Sequence, residues 1–446
     1  MVFAVRIPLA PGRFPVVGHA PAFLREPVRF MESLAPVGPM VRMYFGSRLF
    51  LYVSDPALVH EVLHVQNDEF EKGALFEKMK PLAGEGVGLT SGDDHRMQRR
   101  MLRPSLQPSR LERYGEVMHD LALRCVDAWP RGQTVRVDRA MVDYTIRVIV
   151  GTLLPAQSHP DLADRVRKAV PEVLYGLIRY LVLPELLFRL PLPANKRARL
   201  AVEQLKGTIE ELVASYCENP PGPGDRFDLL SHMLDYRIPE TGEKVPRKLM
   251  RDEVMSLMIA GHETTSSALT SIFWLMDRHA HMRERIHHEV DAVGEGPVRL
   301  ETLEQAPFTR SFVREVLRLY NPTWLLPRRA LRDVRLGRVV VPAGTELIIA
   351  PMALHRRPDV FPRPHAFDPD RWRDGSTKGL PKGSYIPFGL GPHVCMGAQF
   401  AEMEIFTFLL AACRRWKLVQ NPPAPARFRY GLIARIPELH CTVAPR

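Results

Sequence analysis

Apolar and polar positions alternate at period two in Val41-Arg-Met-Tyr-Phe45 and again in Leu49-Phe-Leu-Tyr-Val53. Gly46-Ser47-Arg48 separates the two runs, a pattern that predicts a hairpin with one face turned to a core. A second strand pair is expected between Val334 and Ile349, turning at Pro342-Ala343-Gly344. From Pro108 to about Asp291 the apolar residues recur at three- and four-residue intervals, which is the pattern of amphipathic helix. Asn219-Pro-Pro-Gly-Pro-Gly224 reads as a loop within that span, with helical pattern on both sides. The pattern predicts a single domain over residues 1–446, mainly α with small β-sheets. Its β-rich portions are expected at about 40–70, 330–350 and 425–446.

Two helical stretches differ from the rest. Asp252 to Met276 runs for about 25 residues, or about 37 Å, so its middle should be buried. Ala169 to Leu192 is the most apolar stretch, but Pro171, Glu172, Arg179, Pro184, Glu185 and Arg189 interrupt it. Two short amphipathic helices are expected there, serving the core, a lipophilic entrance or a membrane-touching surface. No run of about 20 uncharged apolar residues exists, so no membrane span is expected. Met1 to Ala20 is broken by Arg6, Pro8, Pro11 and Pro15 and holds no secretory apolar run, which predicts a cytoplasmic protein.

Composition narrows the function classes. With 46% hydrophobic residues the chain cannot be disordered throughout. The formal charge of +11 is spread along the chain, with modest clusters at Arg96, Arg99, Arg100 and Arg103 and at Arg414, Arg415 and Lys417. Such scatter fits a solvated basic face, and no nucleic-acid partner is expected. Five cysteines form no CxxC pair, which excludes a zinc ribbon or a disulfide framework.

Three constellations carry chemistry. Ala260-Gly-His-Glu-Thr-Thr265 places Glu263 and Thr264 in the middle of the long helix, where an acid and hydroxyls are costly unless used. Gly261 is expected to loosen the helix there and open a small polar pocket. Glu315 and Arg318 share a helical face and can pair, and Phe367-Asp-Pro-Asp-Arg-Trp372 offers Arg371 as a second cation. Phe388-Gly-Leu-Gly-Pro-His-Val-Cys-Met-Gly397 is an open loop before a helical pattern from Ala398 to Ala412. Backbone amides and a helix N-terminus both favour thiolate at Cys395, which suits a metal ligand.

These segments, in this order, resemble the cytochrome P-450 superfamily of haem-thiolate monooxygenases. The resemblance extends from Pro11-Gly-Arg-Phe-Pro15 and Gly18, through His95-x-x-x-Arg99, to the cysteine loop with Phe388, Gly391, Cys395 and Gly397. It implies the family fold, with haem b between the long distal helix and the cysteine-loop helix. It makes Cys395 the iron ligand, Phe388 the aromatic over its sulfur, and Glu263 and Thr264 the pair that delivers protons to dioxygen. Glu315, Arg318 and Arg371 become a structural network, and Arg328, His393, His95 and Arg99 donors to the haem propionates, with Gly397 allowing close approach. Histidine replaces the family's more frequent Trp at position 95 and Arg at position 393, and can still donate to a carboxylate.

The resemblance further implies O2 and an apolar small molecule as substrates. No flavin or ferredoxin motif occurs, so ferredoxin and ferredoxin reductase are expected as separate partners, with Arg96, Arg100, Arg103, Arg414, Arg415 and Lys417 as a docking face. The N-terminal pattern and Arg189-Leu-Pro-Leu-Pro-Ala-Asn195 look like actinobacterial oxidases of sesquiterpenes and other terpenoids. Leu75, Phe76, Met79, Leu82, Val87 and Leu89 are then expected to line an aliphatic pocket. Fatty acids, steroids and macrolides stay open as substrates. A peroxide-driven member is a rival that the Glu263-Thr264 pair argues against, and the same pair counts against a haem carrier without catalysis.

Overall fold

The computed structural model describes residues 7–446 apart from 154–160, 183–184, 221, 223–227, 374–378, 421–422, 424 and 426. Pro184 and residues 221, 223 and 224 of the loop expected over 219–224 therefore lie outside the described residues. The chain forms two compact units, Met1–Glu77 with Ser311–Cys395, and Lys78–Arg310 with Met396–Arg446.

The first unit is built on a five-stranded sheet in the order Met40–Phe45, Arg48–Val53, Glu346–Ile349, Leu326–Ala330, Phe70–Glu71. The first two strands are the expected hairpin, antiparallel with Val41 opposite Tyr52. Alternation decides which side chains go where. Val41, Met43, Tyr52 and Ile348 pack with Phe30, Met31 and Leu34. Met40, Leu51, Val53, Leu347 and Ile349 pack on the other face with Val59, Val62 and Leu63. Arg328 is carried on the strand between Phe70–Glu71 and Glu346–Ile349, opposite Leu347.

The expected second strand pair is placed differently. Val334–Leu336 pairs with Val339–Val341 and turns at Gly337, which has φ 56°. The turn at Pro342-Ala343-Gly344 instead leads the chain into Glu346–Ile349, which joins the large sheet beside Arg48–Val53. Pro-Ala-Gly is the stronger turn motif, but Gly337 supplies the left-handed residue that the tight hairpin requires.

The second unit is mainly helical. Its largest helices are Pro108–Asp127, Val137–Leu153, Leu162–Val182, Pro193–Glu218, Arg247–Arg278 and Ala398–Arg415. A three-stranded sheet orders Thr134–Arg136, His440–Pro445 and Trp416–Val419, and Arg429–Tyr430 forms a small ribbon with Ala434–Arg435. The long helix Arg247–Arg278 has 32 residues and is buried at every position from Thr265 to Met276. Small residues at Ser266, Ser267, Ala268 and Ser271 fit that crowding. Gly261 does not open the helix, which runs on unbroken. A Cβ at Gly261 would stand 2.5 Å from Ile149 Cδ1, so the glycine permits close packing on Val137–Leu153.

The stretch over 169–192 holds one long helix and one short one, not two short ones. Leu162–Val182 continues through Pro171, and Glu185–Arg189 follows. Burial of Val170, Val173, Leu174 and Leu177 along one face outweighs the hydrogen bond that the proline removes. No described helix is long and apolar enough to cross a membrane.

Candidate active site

The cysteine loop folds back on itself in the first unit. Cys395 N donates to Phe388 O at 2.8 Å, Val394 N to Gly391 O at 2.9 Å, and Gly389 N to Ile386 O at 3.0 Å. Gly391 has φ 72°, and a Cβ there would lie 1.9 Å from Leu63 O, so only glycine fits. Cys395 ends this turn exposed, while Cys413 and Cys441 are buried. Burial pushes the thiols of Cys125, Cys413 and Cys441 up to about 12, which makes them poor thiolates. Gly397 caps the helix Ala398–Arg415, and His393 lies half-buried in the short turn Gly391–His393.

Behind the loop, Glu315 is completely buried and fully coordinated. Arg318 Nε and Nη2 each donate to it at 2.8 Å, Arg371 Nε at 3.0 Å, Trp372 Nε1 at 2.8 Å and Asp368 N at 3.0 Å. Arg318 also donates to the carbonyls of His355, Pro364 and Ala366. His355 continues the chain of bonds, with Nδ1 3.2 Å from Arg318 O and Nε2 accepting from Ile386 N at 2.8 Å. Burial drives its pKa down to about 3, so it stays neutral. Asn321 Nδ2 donates to Pro387 O at 3.0 Å. The network thus holds residues 386 and 387, immediately before Phe388. Trp372 and His355 complete it, and neither was among the residues singled out by sequence. The indole was visible inside Phe367–Trp372, whereas His355 had no signal.

Arg328 is 5% exposed. Its Nη1 donates to Pro327 O at 2.8 Å, while its Nε is buried without a hydrogen-bond partner. Burial lowers its pKa to about 10. A buried guanidinium with one carbonyl partner suits an anionic group such as a haem propionate.

In the second unit, Glu263 and Thr264 follow one another on the long helix. Thr264 Oγ1 donates to Ala260 O at 2.8 Å, and Thr265 Oγ1 to Gly261 O at 3.1 Å. Glu263 is 9% exposed, and burial raises its pKa to about 7, against the opposing pull of Arg435. Arg435 is anchored to the same helix, since Ser267 Oγ donates to Ala434 O at 2.7 Å. Glu404, on Ala398–Arg415, is completely buried facing Thr265, and burial holds its carboxyl well above the usual range. Neither Arg435 nor Glu404 was legible by spacing. His95, buried, and Arg99, half-buried, share a face of the helix Gly92–Leu102 one turn apart.

Leu75 is exposed and Phe76 half-buried, while Met79, Val87 and Leu89 are buried. Residues 84–88 lie flat on the long helix: Glu85 N donates to Asp252 Oδ2 at 3.1 Å, Val87 N to Glu253 Oε2 at 2.9 Å and Gly88 N to Ser256 Oγ at 3.1 Å. Gly84 and Gly86 make this possible, because a Cβ at either would come within 2.6 Å of Asp252. Of the basic candidates, Arg96 pairs with Asp93, Arg100 with Glu240 and Arg415 with Asp127, and Arg414 donates to Val293 O and Gly294 O.

The family model described as Cytochrome P450 matches residues 8–438. Cyclooctatin synthase of Streptomyces melanosporofaciens is 34% identical over 98% of this chain and 94% of its own. Cyclooctat-9-en-7-ol 5-monooxygenase of the same organism is 33% identical, over 93% of this chain and 90% of its own. Pentalenene oxygenase of Streptomyces avermitilis is 33% identical, over 96% and 97%. The crystal structure of the cytochrome P450DA heme domain superposes with a TM-score of 0.85 at 24% identity, over 99% of this chain and 98% of that one, a likeness of fold.

Proposed function

The chain belongs to the cytochrome P450 family, and from that premise we propose that it hydroxylates a cyclic terpenoid, with Cys395 as the ligand of its haem iron. Membership makes it an oxidoreductase of the monooxygenase type, acting on a small molecule with O2 and electrons from redox partners. Its cofactor is haem b with a thiolate-bound iron. When bound, the haem activates dioxygen and supplies the oxygen-transfer chemistry.

The protein's own residues do the rest. Cys395 is the exposed thiol at the end of a tightly bonded loop, and the Glu315 network holds that loop from behind, so the sulfur is presented in one place. This is the observation that carries the assignment of the ligand. Phe388 is assigned the task of covering the sulfur. Arg328 has the free donor and the buried charge to hold a propionate, and His393, His95 and Arg99 are assigned to the same task. Glu263, with a pKa near 7, can take up and release a proton at neutral pH. Thr264 Oγ1 donates its own proton to Ala260 O, which leaves its lone pairs turned to accept one from elsewhere.

The substrate class rests on the relatives named for cyclooctat-9-en-7-ol and pentalenene, and on the aliphatic set Met79, Val87 and Leu89. Ferredoxin and its reductase are the electron donors in this reading, docking on the exposed Arg96, Arg100 and Arg103. The free thiols fit the reducing cytoplasm.

Turnover with isotopically labelled O2 tests the proposal. The haem-loaded protein is supplied with ferredoxin, reductase, NAD(P)H and, in parallel, a cyclic terpene, a medium-chain fatty acid, a steroid and a macrolide. One labelled oxygen atom is expected in the terpene product. Labelled product from another class and none from the terpene would overturn the substrate assignment.

A further inference from the structure

In the first unit, the helix Pro56–His60 runs directly into a turn of π-helix, Glu61–Val65, where Gln66 N donates to Glu61 O at 2.8 Å, five residues back. Such widened turns are rare and often mark functional sites. His60 ends the helix and His64 follows four residues on, so both imidazoles rise from one face. Their ring centroids are 5.0 Å apart, with the planes at 54°. His60 is half-buried and His64 exposed. Two glycines fix the backbone beneath them. A Cβ at Gly383 would stand 2.3 Å from Pro56 O and 3.0 Å from His60 N. A Cβ at Gly391, in the cysteine loop, would stand 2.9 Å from His64 Cα. The loop that leads to Cys395 therefore lies against this segment and holds the two imidazoles in place.

Two imidazoles four residues apart on one helical face are a chelating pair. Two metal–nitrogen bonds of about 2.0–2.1 Å at a tetrahedral angle put the ring centroids about 5 Å apart, the spacing seen here. The ligands must be neutral to bind. Burial, His64 and Lys382 lower the pKa of His60, against the opposing pull of Glu61, so this ring is unprotonated at neutral pH. The Glu61 carboxylate also favours a cation, and its Oε2 is buried without a hydrogen-bond partner. Lys382 works against the cation, but it is exposed and screened by solvent. His279 and His281 make a contrast: two residues apart, with rings 6.3 Å apart and nearly perpendicular, they do not share a face. Among the described residues no third His, Cys, Asp or Glu completes a metal cluster, so water fills the remaining positions and the ion exchanges readily. Nitrogen donors select the borderline transition metals over Mg2+ and Ca2+. We propose that His60 and His64 chelate one divalent ion of the Zn2+, Ni2+ and Cu2+ class, on the turn that backs the cysteine loop. The ion ties residue 60 to residue 64 and braces the segment on which Gly391 rests. The site depends neither on the substrate nor on the identity of the iron ligand.

Isothermal titration of Zn2+, and separately of Ni2+, into the haem-loaded protein at neutral pH tests this without turnover. Affinity is expected to fall about tenfold or more in His64→Gln and in His60→Gln, and to stay unchanged in His281→Gln. It should also be lost at about pH 5, where imidazoles are protonated, and should survive excess Mg2+. Zn2+ should slow hydrogen exchange of the Gln66 amide in the parent and leave it unchanged in His64→Gln. The carbon monoxide spectrum of each variant reports that the cysteine loop is intact. Absence of binding to the parent would overturn the proposal. Affinity unchanged in both His60→Gln and His64→Gln would overturn it by placing the ion elsewhere, and displacement by Mg2+ would overturn it by assigning oxygen ligands.

Discussion

Arg435 Nη1 lies 3.3 Å from Glu263 Oε1 across 172 residues of sequence. The acid is buried and the guanidinium half exposed, so the pair joins the interior of the long helix to the surface of the C-terminal ribbon. Burial favours the neutral acid and Arg435 favours the carboxylate, and burial prevails. The proton of Glu263 is consequently exchangeable close to neutral pH.

Removing Arg435 takes away the influence that lowers this pKa, so the Glu263 carboxyl must move further up. In Arg435→Leu the pH at which product formed per NAD(P)H is half-maximal should move to higher pH, by less than about one unit because the guanidinium is half exposed. A pH series of coupling efficiency in parent and variant measures it. An unchanged or acid-shifted profile would show that Arg435 does not act on the acid.

The buried charge network behind the cysteine loop sets stability. Arg318→Leu leaves Glu315 without its bidentate partner in a fully buried site, at a cost of about 3–5 kcal/mol. Thermal unfolding should begin at a much lower temperature, and haem-loaded yield should fall. Trp372→Phe removes a single hydrogen bond to Glu315 and should cost about 1–2 kcal/mol. Equal melting of the Arg318 variant and its parent would contradict the network.

Both the reach and the limit of the sequence show in these residues. Period-two alternation revealed the first hairpin because one face of each strand is buried. The second hairpin was misplaced because a Pro-Ala-Gly turn outranks Gly337 in composition, though the chain uses both. Pro171 suggested a break that the buried face of Leu162–Val182 overrides. In the site, Glu315, Arg318 and Arg371 were legible since helical spacing and an aromatic motif bring out charged residues. His355 and Arg435 were not, because their partners come from elements far away along the chain. Gly261 was visible, but its reason is Ile149, a tertiary contact that no local pattern contains.

The strap over residues 84–88 depends on acceptors from the long helix. Glu253→Leu leaves the Val87 amide without its acceptor and should cost about 1–3 kcal/mol, whereas Glu253→Gln keeps an oxygen there and should rescue most of it. Because Val87 rides on the strap and Leu89 directly follows it, terpene affinity followed by the haem spectrum should weaken in the leucine variant and recover in the glutamine one. Identical affinities in all three proteins would separate the strap from substrate binding.

Thr264→Ala removes the hydroxyl next to Glu263 without disturbing the helix, as alanine is a better helix former. Substrate binding and NAD(P)H consumption should persist, while reducing equivalents divert to hydrogen peroxide. Peroxide yield per NAD(P)H measures this, and unchanged coupling would remove Thr264 from proton delivery.

The ligand assignment has the most direct test. Cys395→His is prepared with haem bound, reduced and exposed to carbon monoxide, and its absorption spectrum is compared with that of the parent. Thiolate donation causes the strongly red-shifted band of the parent, so that band should be absent from the variant. Its survival in haem-loaded Cys395→His would contradict Cys395 as the iron ligand.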